Sequence, residues 1–273
     1  MRAFVIGGSG FIGREIINAL RGKGLEVLAY EHKTPIKGVK TVKGGLRGVI
    51  KHNDYDVLFH LAKFSHSNTI GRFLKSLWGY FLNSDIVRVL KGRKLVYFSG
   101  SLVYGGGVAN ENSPIKPVGF ARFYFLQEKP FLKYKNALIL RPGWVLGDGS
   151  WFKRFYLNVM LRNGFVPIYG HGENIMSLIT LKDCAILSTE LALKCEIGIY
   201  NLFSEYWKQK HFAELLSDIT GFPIKKVGFW EVLNLETWEA LTHSLKLETI
   251  REINHGFVPI KEYVMEILKR YGF

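Results

Sequence analysis

Gly7, Gly10 and Gly13 recur at three-residue spacing in the run Gly7-Gly8-Ser9-Gly10-Phe11-Ile12-Gly13. An apolar run, Ala3-Phe4-Val5-Ile6, comes before it, and a segment with helical apolar spacing comes after. That context predicts a turn from a buried strand into a helix, with Phe11 and Ile12 in the first helical turn. In such a turn Gly7 permits the bend, Gly10 lets the main chain approach a diphosphate, and Gly13 lets the helix lie close on the sheet. The helix N-terminus then offers its unspent N–H groups and the positive end of its dipole to phosphate oxygens. Arg14 is also within reach of a phosphate. Glu31, at the end of the next strand, is placed to accept from ribose hydroxyls. A carboxylate there repels a 2′-phosphate, which favours NAD over NADP, although His32 and Lys33 follow directly and leave NADP open. The bland alternative for Glu31 is a solvated strand end.

These residues need elements to hold them, and the rest of the chain supplies an alternation of strands and helices. Ala3–Ile6 reads as a strand, and Phe11–Arg21 as a helix with Ile12, Ile16, Ile17 and Leu20 on one face. Gly22 and Gly24 stop that helix. Glu26–Tyr30, Val57–Leu61, Lys94–Phe98 and Ala137–Leu140 read as further buried strands, and Phe73–Leu90 as a helix. The alternation predicts an α/β fold built on a doubly wound parallel sheet. After Leu146-Gly147-Asp148-Gly149 aromatic and polar residues mix without strict period. Ser177–Thr180 and Ile199–Asn201 are expected to return to the main sheet. Residues from His211 to Phe273 read as helical with Gly and Pro breaks. The expected division is a dinucleotide-binding part over 1–147 and 174–203, and a smaller mixed lobe over 148–173 and 204–273.

The 273 residues are 48% hydrophobic, enough for a full core. The two cysteines, Cys184 and Cys195, form no CxxC pair, so neither a disulfide framework nor a zinc site is expected, and a reducing cytoplasm is the expected setting. The histidines show no HxxxH or HExxH spacing, and no metal is expected. The opening apolar run is too short for a signal or membrane segment. The net charge of +14 is uneven: residues from Ser204 onward carry 9 basic and 10 acidic side chains, so the surplus belongs to the part with the glycine run. A basic field there suits an anionic ligand such as a nucleotide sugar, or is a lysine-rich solvated surface. Binding of an acidic polymer is a third reading, disfavoured because no basic run is interleaved with aromatics.

Several segments, taken in order, resemble the extended short-chain dehydrogenase/reductase family, the group holding NAD-dependent nucleotide-sugar epimerases and dehydratases. Gly7–Gly13 is similar to its glycine loop, and Asp56-Val57-Leu58-Phe59-His60-Leu61-Ala62 to its fourth-strand motif, where Leu61 and Ala62 would lie along the cofactor. Val96-Tyr97-Phe98-Ser99-Gly100-Ser101-Leu102-Val103-Tyr104-Gly105 resembles the active-site strand and its turn. Leu140-Arg141-Pro142-Gly143-Trp144-Val145-Leu146-Gly147 resembles the segment near the nicotinamide, with Ser99 and Pro142 beside the cofactor. Ile179–Ala185, Tyr200-Asn201-Leu202 and Gly256-Phe257-Val258-Pro259 match later landmarks. The resemblance implies a Rossmann-type sheet with a smaller mixed C-terminal lobe, a small-molecule substrate such as a nucleotide sugar, and a homodimer.

The sequence departs from the family at the chemistry. The family uses Tyr-x-x-x-Lys on one helix face, the lysine lowering the phenol's pKa so that it can exchange a proton with the substrate hydroxyl. Aligned on Pro117-Val118-Gly119, the two positions hold Val118 and Arg122; aligned on Glu128, they hold Phe120 and Tyr124. Arg122 is a forked donor that stays charged and is a poor proton shuttle. Only Tyr206 and Lys210 have the spacing, and they fall in the expected smaller lobe, where chance explains it. Gly45 stands where the family usually carries an acidic residue for the adenine amine. Ser99, Ser101, Tyr104 and Tyr124 are the candidate displaced acid–base groups, against the plainer reading that the tyrosines pack. Two functions follow: an enzyme with displaced catalysis, or a noncatalytic dinucleotide-binding sensor or assembly protein.

Overall fold

The computed structural model describes residues 1–273. The first half of the chain runs β1 (Arg2–Ile6), α1 (Phe11–Gly22), β2 (Glu26–Tyr30), β3 (Lys40–Val42), α2 (Leu46–His52), β4 (Val57–His60), α3 (Thr69–Leu90), β5 (Lys94–Phe98), β6 (Gly107–Ala109), α4 (Ala121–Leu132) and β7 (Ala137–Pro142). It continues through β8 (Trp144–Leu146), α5 (Asn158–Asn163), β9 (Val166–Tyr169), β10 (Ile175–Thr180), α6 (Leu181–Leu193), β11 (Gly198–Leu202) and β12 (Glu205–Lys208). The last elements are α7 (Gln209–Thr220), β13 (Ile224–Val227), α8 (Phe229–Val232), α9 (Leu235–Thr242), β14 (Leu245–Leu247) and α10 (Ile260–Lys269).

The main sheet has seven strands in the order β11-β7-β5-β4-β1-β2-β3. Pairing is parallel from β3 across to β7. Strands such as β1 and β4 are apolar along nearly their whole length because helices cover both faces of a parallel sheet. The order reverses at β1, which has β2 on one side and β4 on the other. In a doubly wound sheet the crevice outside the carboxyl ends of the strands at that reversal receives the ligand.

Two compact units divide the chain: residues 1–99, 122–141 and 185–200, and residues 100–121, 142–184 and 201–273. Segments 100–121, 142–147, 174–184 and 201–203, placed by sequence with the dinucleotide-binding part, cluster with the second unit. The first unit's core gathers Phe4, Ile6, Leu58, Leu95, Tyr97 and Phe131. The second has its own core, with Phe152, Tyr156, Leu178 and Phe212 among its members.

One expected strand pairs differently. The strand at Ser177–Thr180 does not rejoin the main sheet; β10 lies between β8, parallel, and β12, antiparallel. Its burial leaves no exposed face by which the sequence could reveal its partners. The C-terminal region, expected to be helical, also contributes two short strands, β13 on β9 and β14 on β6. By contrast, β11 does join the main sheet, at its edge.

Helix α3 starts four residues before the apolar pattern suggests, because the Asn68 side chain caps it by accepting from Gly71 N at 2.7 Å. Its buried stripe is Ser76, Gly79, Asn83, Ile86, Val89 and Leu90, small or polar in the first half and aliphatic in the second.

Candidate functional site

The glycine turn forms at the mouth of α1. Gly7 has φ +85°, a conformation that side chains rarely adopt. A Cβ on it would lie 2.8 Å from Ala62 N and 3.0 Å from the Leu61 carbonyl carbon, so the loop packs directly on the chain leaving β4. A Cβ on Gly13 would lie 2.1 Å from Gly7 O and 2.8 Å from Gly8 Cα. Gly10 closes the turn, its N–H donating to Gly7 O at 3.1 Å. As the residue capping α1 it contributes no side chain, and the first turn, with Phe11 and Ile12, contains no acidic residue. The helix therefore opens on unspent amides with no carboxylate competing for them. This cradle, which side chains would fill, fits a diphosphate.

Glu31 follows β2 and is more than a solvated strand end. Its side chain is only 11% exposed and pairs with Lys43 Nζ at 2.8 Å. The Lys43 ammonium, the Thr41 hydroxyl and the Ile36 amide hold the carboxyl below its usual range. Glu31 is thus ionised and able to accept from hydroxyls, with a compensating cation beside it.

On the other side of the reversal, the ends of β4, β5 and β7 carry a polar cluster that sequence reasoning missed apart from Ser99. Glu128, on α4 and fully buried, accepts from Arg141 Nη2 at 2.5 Å and from the Ser99 hydroxyl. The Ser99 amide donates to Leu140 O at 2.8 Å, fixing the serine between β5 and β7. Lys63, three residues past β4, turns its ammonium inward to donate to Phe98 O at 2.5 Å and to the Tyr97 hydroxyl at 3.0 Å. Burial pushes the Lys63 ammonium down to about 8, partly offset by Glu128.

The next residue is clamped. Gln127 of α4 accepts from Phe64 N at 3.1 Å and donates to Phe64 O at 2.8 Å, while also donating to Ser76 Oγ at 3.0 Å. Asn83 donates to Gln127 O at 2.7 Å, so its side-chain oxygen is left to accept from His60 Nε2 at 3.0 Å. That network fixes the His60 tautomer with its proton on Nε2. Burial, first, pushes the imidazole down to about 4. No local spacing marks Lys63, Gln127 or Asn83; in sequence they read as a solvated strand exit and two polar helix residues.

The remaining candidates fall in different settings. Ser101 begins a 3-10 turn over Ser101–Val103 in the second unit and is buried. Tyr104, buried in the same unit, donates to Asn201 Oδ1 at 2.8 Å. Tyr124, on α4 in the first unit, donates to Ser65 Oγ at 2.8 Å. Val118 and Phe120 precede α4, while Arg122 and Tyr124 lie in its first turn. Pro142 ends β7, buried. The first unit thus brings together Gly7, Gly10, Gly13, Leu61 and Ala62, and places Ser99 against Glu128. The second unit also holds a cavity of about 490 Å³ lined by Tyr169, His171, Asn174, Trp238, Thr242 and Ser244, among others.

The model of the NAD dependent epimerase/dehydratase family matches residues 3–201. The chain belongs to this family. No curated protein matches the sequence. Among solved structures, DesIV (dTDP-glucose 4,6-dehydratase) from Streptomyces venezuelae, with NAD and TYD bound, is 19% identical, has a TM-score of 0.81 and aligns over 99% of this chain and 97% of its own. MoeE5 in complex with UDP-glucose and NAD is 19% identical, with a TM-score of 0.77 and 99% of each chain covered. Human epimerase family protein SDR39U1 (isoform 2) with NADPH is 17% identical, with a TM-score of 0.76 and 90% of each chain covered. At these identities the likeness is one of fold, and this family member shares the extended short-chain dehydrogenase/reductase architecture.

Proposed function

We propose that this family member binds NAD(H) on the glycine turn and acts on a nucleotide sugar or a related hydroxyl compound, with proton-transfer groups displaced from the usual Tyr-x-x-x-Lys pair. The observation that carries the cofactor reading is the uncapped first turn of α1, opening beside the sheet's reversal with glycines where any Cβ would meet main chain. Gly7, Gly10, Phe11, Ile12 and Gly13 would hold the diphosphate, Glu31 the adenosine ribose, and Leu61, Ala62, Ser99 and Pro142 the remaining half. Lys43 beside Glu31 balances charge that would otherwise repel a 2′-phosphate, so NADP(H) is the alternative cofactor. Bound NAD accepts or returns a hydride; the chain's own part is to orient it and to move the hydroxyl proton. Ser99, Ser101, Tyr104 and Tyr124 are the candidate proton-transfer residues. Ser99 is the best placed among them, because its hydroxyl is held by an ionisable partner, Glu128. The nucleotide-sugar reading draws on DesIV and MoeE5 and on the basic charge before Ser204. Titration calorimetry with NAD+ and NADP+, followed by turnover assays on a nucleotide-sugar panel, tests both parts. Absence of dinucleotide binding at high concentration refutes the first, and absence of epimerase, dehydratase and reductase turnover refutes the second.

A noncatalytic sensor or assembly role is the second reading. It is favoured by Phe120 and Tyr124 standing in the Glu128 register where a phenol and an ammonium belong, and it predicts binding without turnover. Either reading includes a homodimer. Ile70, Phe73, Leu74, Leu77, Trp78 and Phe81 form a stripe along α3 and are 36–76% exposed, a contiguous apolar face of the kind that marks an interaction surface. Both cysteines are free thiols, which suits a cytoplasmic setting.

A further inference from the structure

We propose that Lys63 is a positioning residue for the second ribose of the dinucleotide, the one beyond the diphosphate from adenosine; this rests on the dinucleotide reading above. The sheet is two half-sheets meeting at β1, and a dinucleotide laid across them places one nucleoside over β1–β2 and the other over β4–β5. Glu31 serves the first half. On the second half, Lys63 lies one residue beyond Ala62, whose amide packs against Gly7.

The side chain is held in a way that leaves it something to do. An ammonium has three N–H donors. Two are spent, on Phe98 O and the Tyr97 hydroxyl, and the third has no acceptor. Lys63 forms no ion pair: Glu128 is the carboxylate of the cluster, and it is taken by Arg141 and Ser99. The Gln127 clamp on both main-chain groups of Phe64 fixes the chain immediately after Lys63. The charged and titratable groups around the ammonium are Tyr97 on β5, Glu128 on α4 with Arg141 of β7 behind it, and His60 on β4. His60 is neutral near pH 7, and burial raises the Tyr97 phenol well above its ordinary value, so it is neutral as well. The cluster therefore carries one surplus positive charge, and a ribose hydroxyl oxygen is an acceptor of the right kind for its last N–H. The chain thus supplies from the segment after β4 the ammonium that α4, with Tyr124 in the Glu128 register, does not carry.

The test compares ADP, ADP-ribose and NAD+ binding to the full chain and to Lys63→Met by titration calorimetry. ADP carries the diphosphate without the second ribose. A charge-assisted hydrogen bond lost from the complex predicts a fall of roughly tenfold or more for ADP-ribose and NAD+, with ADP unchanged. The ADP titration also reports whether the variant folds. If it does not fold, the wild-type protein decides the matter alone. Its preference for ADP-ribose over ADP should weaken as pH passes about 8, where Lys63 begins to lose its proton. Equal weakening for ADP would place the charge on the diphosphate and overturn the proposal. So would an unchanged ADP-ribose affinity in the variant, or a wild-type preference flat from neutral to alkaline pH. Wild-type protein that binds none of the three ligands overturns the dinucleotide reading, and this proposal with it.

Discussion

Protonation of His60 should weaken the fold as the solution is made mildly acidic. The imidazole is fully buried, its Nε2 proton is committed to Asn83, and Nδ1 has no partner. A second proton would enter at Nδ1, among the rings of Tyr97 and Phe131, where nothing accepts it. The native value is about 4, against 6.5 for a free imidazole. Between those values the unfolded chain binds the proton and the native chain does not, so stability is complete above pH 6.5 and falls as pH drops toward 4. At pH 5 the loss from this group is about 2 kcal/mol, rising to roughly 3 kcal/mol once the native imidazole also titrates. That is a large share of the roughly 5–15 kcal/mol that stabilises an ordinary domain. Urea denaturation at a series of pH values, on the wild-type protein and on His60→Gln, measures it. The wild type should lose stability more steeply from neutral pH down to about pH 5, the difference between the two curves isolating His60 from the carboxylates. Parallel curves, or a native imidazole titrating near its free value by NMR, would refute the reasoning.

Other outcomes follow from geometry alone. Gly13→Ala puts a methyl into main-chain atoms of the glycine turn, and should cost about 1–3 kcal/mol in thermal or chemical denaturation along with most of the NAD affinity in calorimetry. Gln127→Ala strands the Phe64 amide and the Ser76 hydroxyl, and is expected to destabilise by about 1–3 kcal/mol in chemical denaturation. Replacing Trp78 and Phe81 together by glutamate should convert a dimer to a monomer in light scattering without loss of helix content by circular dichroism. A wild-type protein that is already monomeric at micromolar concentration would remove the α3 interface.

The sequence reveals most where a requirement is local. Gly7, Gly10 and Gly13 answer to backbone geometry within one turn, so their spacing and the flanking strand and helix suffice to place the cradle. Six of the seven main-sheet strands likewise show as short runs between breaks; the edge strand β3, Lys40-Thr41-Val42, is too short and polar to show. Partner choice is another matter: β10 is buried almost throughout, and nothing within Ile175–Thr180 says whether its neighbours are the main sheet or β8 and β12. The second half of the site was hidden for a similar reason. Lys63, Gln127, Glu128 and Arg141 come from three separate segments, and each gains its meaning from a partner 13 to 63 residues away, the largest separation being that of Phe64 and Gln127. A lone lysine after a strand has the same local appearance whether it points to solvent or into a cluster.

Gly79 ties two distant positions together in a way evolution should record. A methyl there would sit 2.7 Å from Phe64 Cδ2 and 3.0 Å from Gln127 Cγ. Homologues that carry alanine or a larger residue at this point of α3 are therefore expected to have a trimmed side chain in place of Phe64, so that substitutions at the two sites travel as a pair through the family tree.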